Sequence, residues 1–139
     1  MRTLKDLGLE YLDLYLIHFP ISLKYVDPEV RYPPEWFYDP KANKPCMIED
    51  NVPIIETWRV MEELQKEGLI KNIGVCNFNV ALLRDLMAAS TIKPSVLQVE
   101  LHPRLTQKKL IKYCETQDIK MTTFSSFGAA SYIELGMAQ

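Results

Sequence analysis

The chain has 139 residues, 47% apolar and 24% charged, with a formal net charge of −2. Such a composition at such a length describes one ordinary soluble globular domain, and the near-balanced charge makes no global case for nucleic acid or an acidic membrane surface. No apolar run approaches the length of a membrane span, and the opening Met1-Arg2-Thr3-Leu4-Lys5-Asp6 lacks the apolar core of a secretory signal.

The three cysteines, Cys46, Cys76 and Cys114, are odd in number, widely spaced and in no metal-ligand pattern. Reduced thiols in a cytoplasmic protein are therefore expected. His18 and His102 are too few and too far apart for a metal site, so no metal is expected.

Leu4 to Gly8 predicts the last turns of a helix, with Gly8 as the residue just beyond its end. Tyr11 to His18 is apolar on both parities and predicts a strand buried on both faces, as in a parallel sheet. Residues 21–50 hold five prolines among Tyr32, Trp36, Phe37 and Tyr38. They predict a long ordered loop whose aromatics can wall a pocket.

From there the pattern is regular. Pro53 opens a helix carrying Ile54, Ile55, Trp58, Met61 and Leu64, stopped at Gly68, with Glu56, Glu62 and Glu63 expected on its solvated face. Ile70–Asn77 predicts a strand. Leu82, Leu83, Leu86 and Met87 predict a helix capped by Asn79, and Val96–Glu100 a further strand. Thr106 is the expected cap of a helix bearing Leu110, Ile111 and Cys114, and Met121–Ser125 is the last strand.

Strand and helix thus alternate, the last three strands recurring about every 20 to 26 residues, which predicts a parallel sheet with helical crossovers. A doubly wound dinucleotide-binding sheet would carry G-x-G-x-x-G after a strand; none is present, and the barrel is favoured. A complete (β/α)₈ TIM barrel takes about 250 residues. The expected fold class is therefore α/β, a partial TIM barrel of about four βα units from the centre of the barrel. Residues 1–139 would form a single partial barrel domain truncated at both ends.

In a barrel, chemistry gathers at the C-terminal ends of strands. These ends read His18-Phe19-Pro20, Cys76-Asn77-Phe78, Gln98 to Pro103, and Phe124-Ser125-Ser126-Phe127-Gly128. By alternation His18 follows Leu12, Leu14 and Leu16 on one face, Asn77 follows Ile73 and Val75, and Gln98 follows Val96. Apolar residues below and one polar residue on top is the pattern of a barrel interior opening into a site. One such residue is explained as a satisfied core group. Four on successive strands are not. Two amides there can bracket a ligand's carboxamide, and Phe124 can stack on a planar ring.

These same stretches resemble the aldo-keto reductases, in particular their xylose (aldose) reductase-like branch. Leu12 to Pro20 resembles the stretch that ends in the active-site histidine. Gly68 to Phe78 is similar to G-x-I/V-R/K-x-I-G-V-S-N-F/Y, and Lys93 to Pro103 to K-P-x-x-x-Q-V/I-E-x-H-P. Residues 124–134 resemble the branch in which S-S-F-G follows an aromatic.

The resemblance implies an NADPH- or NADH-dependent oxidoreductase acting on a small-molecule aldehyde or aldose, with a sugar-phosphate reductase as an alternative in the same family. It assigns His18 to catalysis, orienting the carbonyl. Cys76, Asn77 and Gln98 would hold the nicotinamide carboxamide and Phe124 its ring. Ser125, Ser126 and Phe127 would follow the pyrophosphate, and Glu134 the adenosine ribose. Phe19 and Trp36 would shape the substrate pocket.

Three departures from the family pattern stand out. Cys76 replaces a serine, Phe124 a tyrosine, and Arg104 the aromatic after His-Pro. The family's catalytic tyrosine, lysine and aspartate would fall before Met1, and its 2′-phosphate-binding segment after Gln139. The isolated chain is expected to be inactive. A non-catalytic half-barrel that self-associates through open strand edges is the competing expectation.

Overall fold

The computed structural model describes residues 2–32 and 36–128. Helix α1 (Arg2–Leu7) ends at Gly8, whose φ of +66° lies in the left-handed region that glycine enters without penalty. The Leu9 N–H then reaches back to the Leu4 carbonyl at 3.0 Å and closes the helix end. The same device ends the second helix at Gly68 (φ +77°), with Leu69 N–H on the Leu64 carbonyl at 3.1 Å.

Seven further elements follow: β1 (Leu12–Ile17), α2 (Ile54–Lys66), β2 (Ile70–Cys76), α3 (Val80–Ala89), β3 (Val96–Glu100), α4 (Lys108–Thr116) and β4 (Lys120–Phe124). All neighbouring strands pair in parallel, in the order β1-β2-β3-β4. Because spatial order follows chain order, the sheet never reverses direction. Winding of that kind builds a barrel; a doubly wound sheet would reverse at a switch point. The fold is therefore a partial (β/α) barrel of four strands.

The two faces of the sheet differ sharply. Ile73, Val75, Leu97 and Val99 pack with Trp58, Met61, Leu83, Leu86, Leu110 and Cys114 into the main core, so this face carries the helices. The other face, the inner one, bears Leu14, Leu16, Gly74, Cys76, Val96, Gln98, Thr122 and Phe124, and several of these reach solvent, Leu14 and Phe124 at 38% each. β1 is consequently not buried on both faces as its apolar run predicts: Leu14 and Tyr15 are both exposed. It is an edge strand of a sheet whose inner face is open.

Two local expectations are corrected. Thr106 does not cap α4; the helix starts at Lys108, after Gln107 in the left-handed region (φ 49°), with no side-chain capping bond. Glu62 is not on a solvated face. It is 4% exposed, and its Oε1 accepts from the backbone N–H of Thr91 and of Ile92, both at 2.7 Å. Asn79 does cap α3, its Oδ1 accepting from Leu82 N–H at 3.0 Å.

The loop between β1 and α2 closes its own base. Leu23 and Glu49 form an antiparallel bridge, flanked by Lys24 N–H to the Ile48 carbonyl at 2.8 Å and Asp50 N–H to the Ser22 carbonyl at 2.9 Å. The excursion is thereby anchored to the strand that ends in His18.

Candidate functional site

Register brings the site together. Cys76 pairs with Gln98, and Gln98 with Thr122, so these three lie in one row across the inner face. Continuing the β1–β2 register from Ile17↔Val75 places His18 level with Cys76. Thr122 is the member of the row that sequence reasoning missed. It shares Phe124's face of β4, and only strand pairing reveals that it stands level with Gln98. Phe124 itself lies one step further along, opposite Glu100.

Asn77 reaches the site by a route that alternation does not describe. A strand continued through Ile73 and Val75 would send its side chain into the helix layer. Instead the strand stops at Cys76 and Asn77 takes φ +61°, a conformation asparagine tolerates better than most residues. Its N–H donates to the Gln98 carbonyl at 2.9 Å, and its Nδ2 donates to the His18 carbonyl at 2.9 Å. One residue thus ties the ends of β1, β2 and β3.

The thiol of Cys76 lies 3.7 Å from Gln98 Oε1, a weak S–H···O contact that holds the amide by its oxygen. Gln98 Nε2 and Asn77 Oδ1 are left without partners among the described residues. Gln98 therefore offers one amide donor in the row, and Asn77 one amide acceptor at the adjoining strand end. Burial pushes the Cys76 thiol above its ordinary 9.0, and does the same to Cys114 in the helix layer.

A raised thiol pKa means less thiolate at any given pH, and occlusion compounds this. With Ellman's reagent at pH 8, exposed Cys46 is expected to react at once, and Cys76 and Cys114 roughly 100-fold more slowly, limited by opening of the fold. Fast titration of all three thiols without denaturant would contradict this.

Around His18 two aromatics gather. Its ring lies 4.5 Å from that of Phe19 and 6.4 Å from that of Trp36, and Phe19 meets Trp36 edge-on at 4.8 Å. At the end of β4, Ser125 takes φ +53° and accepts from Gly128 N–H at 2.8 Å, turning the chain away from the sheet. Ser126 Oγ lies 3.3 Å from Thr123 Oγ, and Phe127 is fully exposed beside them. Glu134 lies outside the described residues.

Beyond β3, His102 is held at both nitrogens. Nδ1 accepts from Arg104 N–H at 3.2 Å, and Nε2 lies 3.3 Å from Glu100 Oε1. The imidazole is satisfied locally. Tyr15 is level with Ile73 on the helix side and cannot serve His18 as an acid.

The family model for the aldo/keto reductases matches residues 1–134. The NADPH-dependent aldose reductase of Saccharomyces cerevisiae is 50% identical over 137 residues, covering 98% of this chain. The NAD(P)H-dependent D-xylose reductase of Pachysolen tannophilus is 52% identical over 136 residues, again covering 98% of the chain. In each case the chain spans 42% of the relative's length. Among solved structures, the aldose reductase of Giardia lamblia superposes with a TM-score of 0.76 at 37% identity, covering 89% of this chain and 38% of that one. The Bombyx mori aldo-keto reductase in complex with NADP gives 0.72 at 35%, covering 89% and 34%. Sequential parallel strands, a histidine and two amides at their C-terminal ends, and this agreement along nearly the whole chain have one explanation: the chain belongs to the aldo/keto reductase family.

Proposed function

We propose that this chain carries the histidine and the nicotinamide-binding strand ends of an NAD(P)H-dependent reductase of aldehydes and aldoses. The observation that carries the proposal is the row itself. Gln98 Nε2, level with His18, is a donor and Asn77 Oδ1, at the adjoining strand end, an acceptor, neither with a partner among the described residues. A carboxamide presents the complementary pair, one carbonyl acceptor and one amino donor. The residues present therefore fit a nicotinamide, which when bound supplies hydride to a carbonyl carbon.

This chain's own residues do the rest. Gln98 and Asn77 orient the carboxamide, with Cys76 fixing Gln98 by its oxygen. Phe124, exposed at the end of β4, offers a flat apolar surface for the ring. The turn at Ser125, Ser126 and Phe127 lies beyond it, on the path of the phosphates, and Glu134 is assigned to the ribose. His18 directs an N–H at the carbonyl oxygen, where negative charge grows during reduction. Phe19 and Trp36 form an apolar wall for the substrate carbon chain. The relatives named as aldose and D-xylose reductases support an aldose or small aldehyde as substrate, with a sugar phosphate as the alternative. Three unpaired thiols support a cytoplasmic location.

Saturation-transfer NMR with NADP⁺ tests the site without requiring turnover. The nicotinamide protons are expected to receive saturation from the chain. Asn77→Ala and Gln98→Ala should each weaken binding about 5-fold, the worth of one net hydrogen bond. Saturation confined to the adenine, or no change in either variant, would refute the assignment. In an NADPH-oxidation assay with a reactive aldehyde, the isolated chain is expected to show no turnover, since no tyrosine acid stands beside His18 among the described residues.

A second activity, association of two copies, is favoured by the edge strands β1 and β4 and by the exposed Leu14 and Phe124 on the inner face. Sedimentation mass rising with concentration would support it.

A further inference from the structure

We infer that Arg31 is a positioning residue that seats Trp36 against Phe19 and His18; the consequence for substrate rests on the proposed role of that aromatic wall. Arg31 is half-buried, and its guanidinium grips two successive carbonyls, Nη2 on Phe37 at 2.7 Å and Nη1 on Tyr38 at 3.1 Å. These are the carbonyls of the two residues that follow Trp36. The planar fork of arginine spans adjacent carbonyls; a lysine ammonium is a single point and reaches one.

The clasp matters because burial does little here. Trp36, Phe37 and Tyr38 are 46%, 42% and 38% exposed, and the contact of Trp36 with Phe19 is a single aromatic edge. Such a pair cannot by itself hold a loop in place. Arg31 can, because its own backbone is fixed. Its N–H donates to the Asp27 carbonyl at 3.1 Å, and Asp27 Oδ1 accepts from Glu29 N–H at 2.8 Å.

This turn is in turn fastened to α1. Arg2 Nη1 donates to Glu29 Oε1 at 3.0 Å, the Arg2 guanidinium lies 4.2 Å over the Tyr32 ring, and Tyr32 OH donates to Asp6 Oδ2 at 3.1 Å. On the far side, Tyr38 N–H donates to the Cys46 carbonyl at 3.2 Å and Lys24 Nζ sits 4.6 Å over the Tyr38 ring. The clasp therefore transmits the position of α1 and of the loop base to the indole beside the histidine.

The chain has two tryptophans, Trp36 and the fully buried Trp58, so 5-fluorotryptophan gives two ¹⁹F signals that Trp36→Phe assigns. In Arg31→Ala the Trp36 signal is expected to move to the free amino-acid position while that of Trp58 stays. Arg31→Lys should behave the same way, because one ammonium cannot span both carbonyls. An unmoved Trp36 signal in Arg31→Ala, both signals moving together, or wild-type behaviour of Arg31→Lys would overturn the inference. If Arg31→Ala does not fold, Arg31→Lys decides by the same criterion. Titration with benzaldehyde separates this from the functional proposal. Wild-type Trp36 should shift on binding, with affinity falling about 5-fold in Arg31→Lys, the scale of one lost aromatic contact. A Trp36 signal that obeys the variants yet ignores the aldehyde would uphold the clasp and reject the substrate wall.

Discussion

Replacing Gly74 with alanine is expected to cost about 3 kcal/mol of stability, the upper part of the usual range for forcing volume into a packed site. A Cβ built there would lie 2.4 Å from the Val96 carbonyl oxygen and 2.7 Å from Leu16 Cδ2. Leucine can swing away. The carbonyl belongs to the neighbouring strand, so relief requires β2 and β3 to part at the position where Gly74 pairs with Val96. Losing a glycine from the unfolded ensemble returns only about 0.4–1 kcal/mol. Gly68→Ala is the control: it meets nothing within 4 Å, but its φ of +77° is left-handed, and about 1 kcal/mol is expected. Urea unfolding measures both. A cost for Gly74→Ala no larger than for Gly68→Ala would mean that the strands yield freely. The same separation should loosen Cys76 from Gln98, two residues along the same strands, and so weaken NADP⁺ binding as well.

Periodicity and punctuation made the fold legible. Gly8 and Gly68 end their helices in the left-handed region and Asn79 caps α3, each as residue type dictates, and the alternation of strand and helix without a G-x-G-x-x-G pointed to the barrel. What escaped was whatever depends on partners distant in sequence. Thr106 has the chemistry of a cap but lies too early once Gln107 turns left-handed. Glu62 looks like any helix-surface glutamate until the segment at Thr91 and Ile92 closes over it. Asn77 has the wrong parity for the inner face, and it is in the left-handed turn at the strand end that its side chain meets the His18 carbonyl. The row linking Cys76, Gln98 and Thr122 is a property of register, and a strand's residues do not state their register alone. Arg31 was invisible for another reason: its partners are main-chain carbonyls of the same loop, which no residue type announces.

The other large effect is expected at Trp58. Its side chain is fully buried, and its Nε1 donates to the Ile92 carbonyl at 2.8 Å. Trp58→Ala should cost about 3–5 kcal/mol from the cavity alone, with the orphaned carbonyl adding to it. That is much of the roughly 5–15 kcal/mol that holds a typical domain together, so the variant is expected to be largely unfolded in mild urea. Glu62 stands one turn further along α2 and grips the same segment by the N–H groups of Thr91 and Ile92. Trp58 thus takes the carbonyl of Ile92 while Glu62 takes its amide, and together they set the entry into β3, the strand that carries Gln98. Glu62→Ala should cost about 2–3 kcal/mol, since bonds to a charged acceptor are the stronger kind. Because they hold the two peptide groups that flank Ile92, their losses should not add. In a cycle of Trp58→Phe and Glu62→Ala, a coupling of at least about 0.5 kcal/mol is expected from urea midpoints. Strict additivity, or a Glu62→Ala cost within the roughly ±0.5 kcal/mol of an ordinary surface change, would show that the segment before β3 is held by something else.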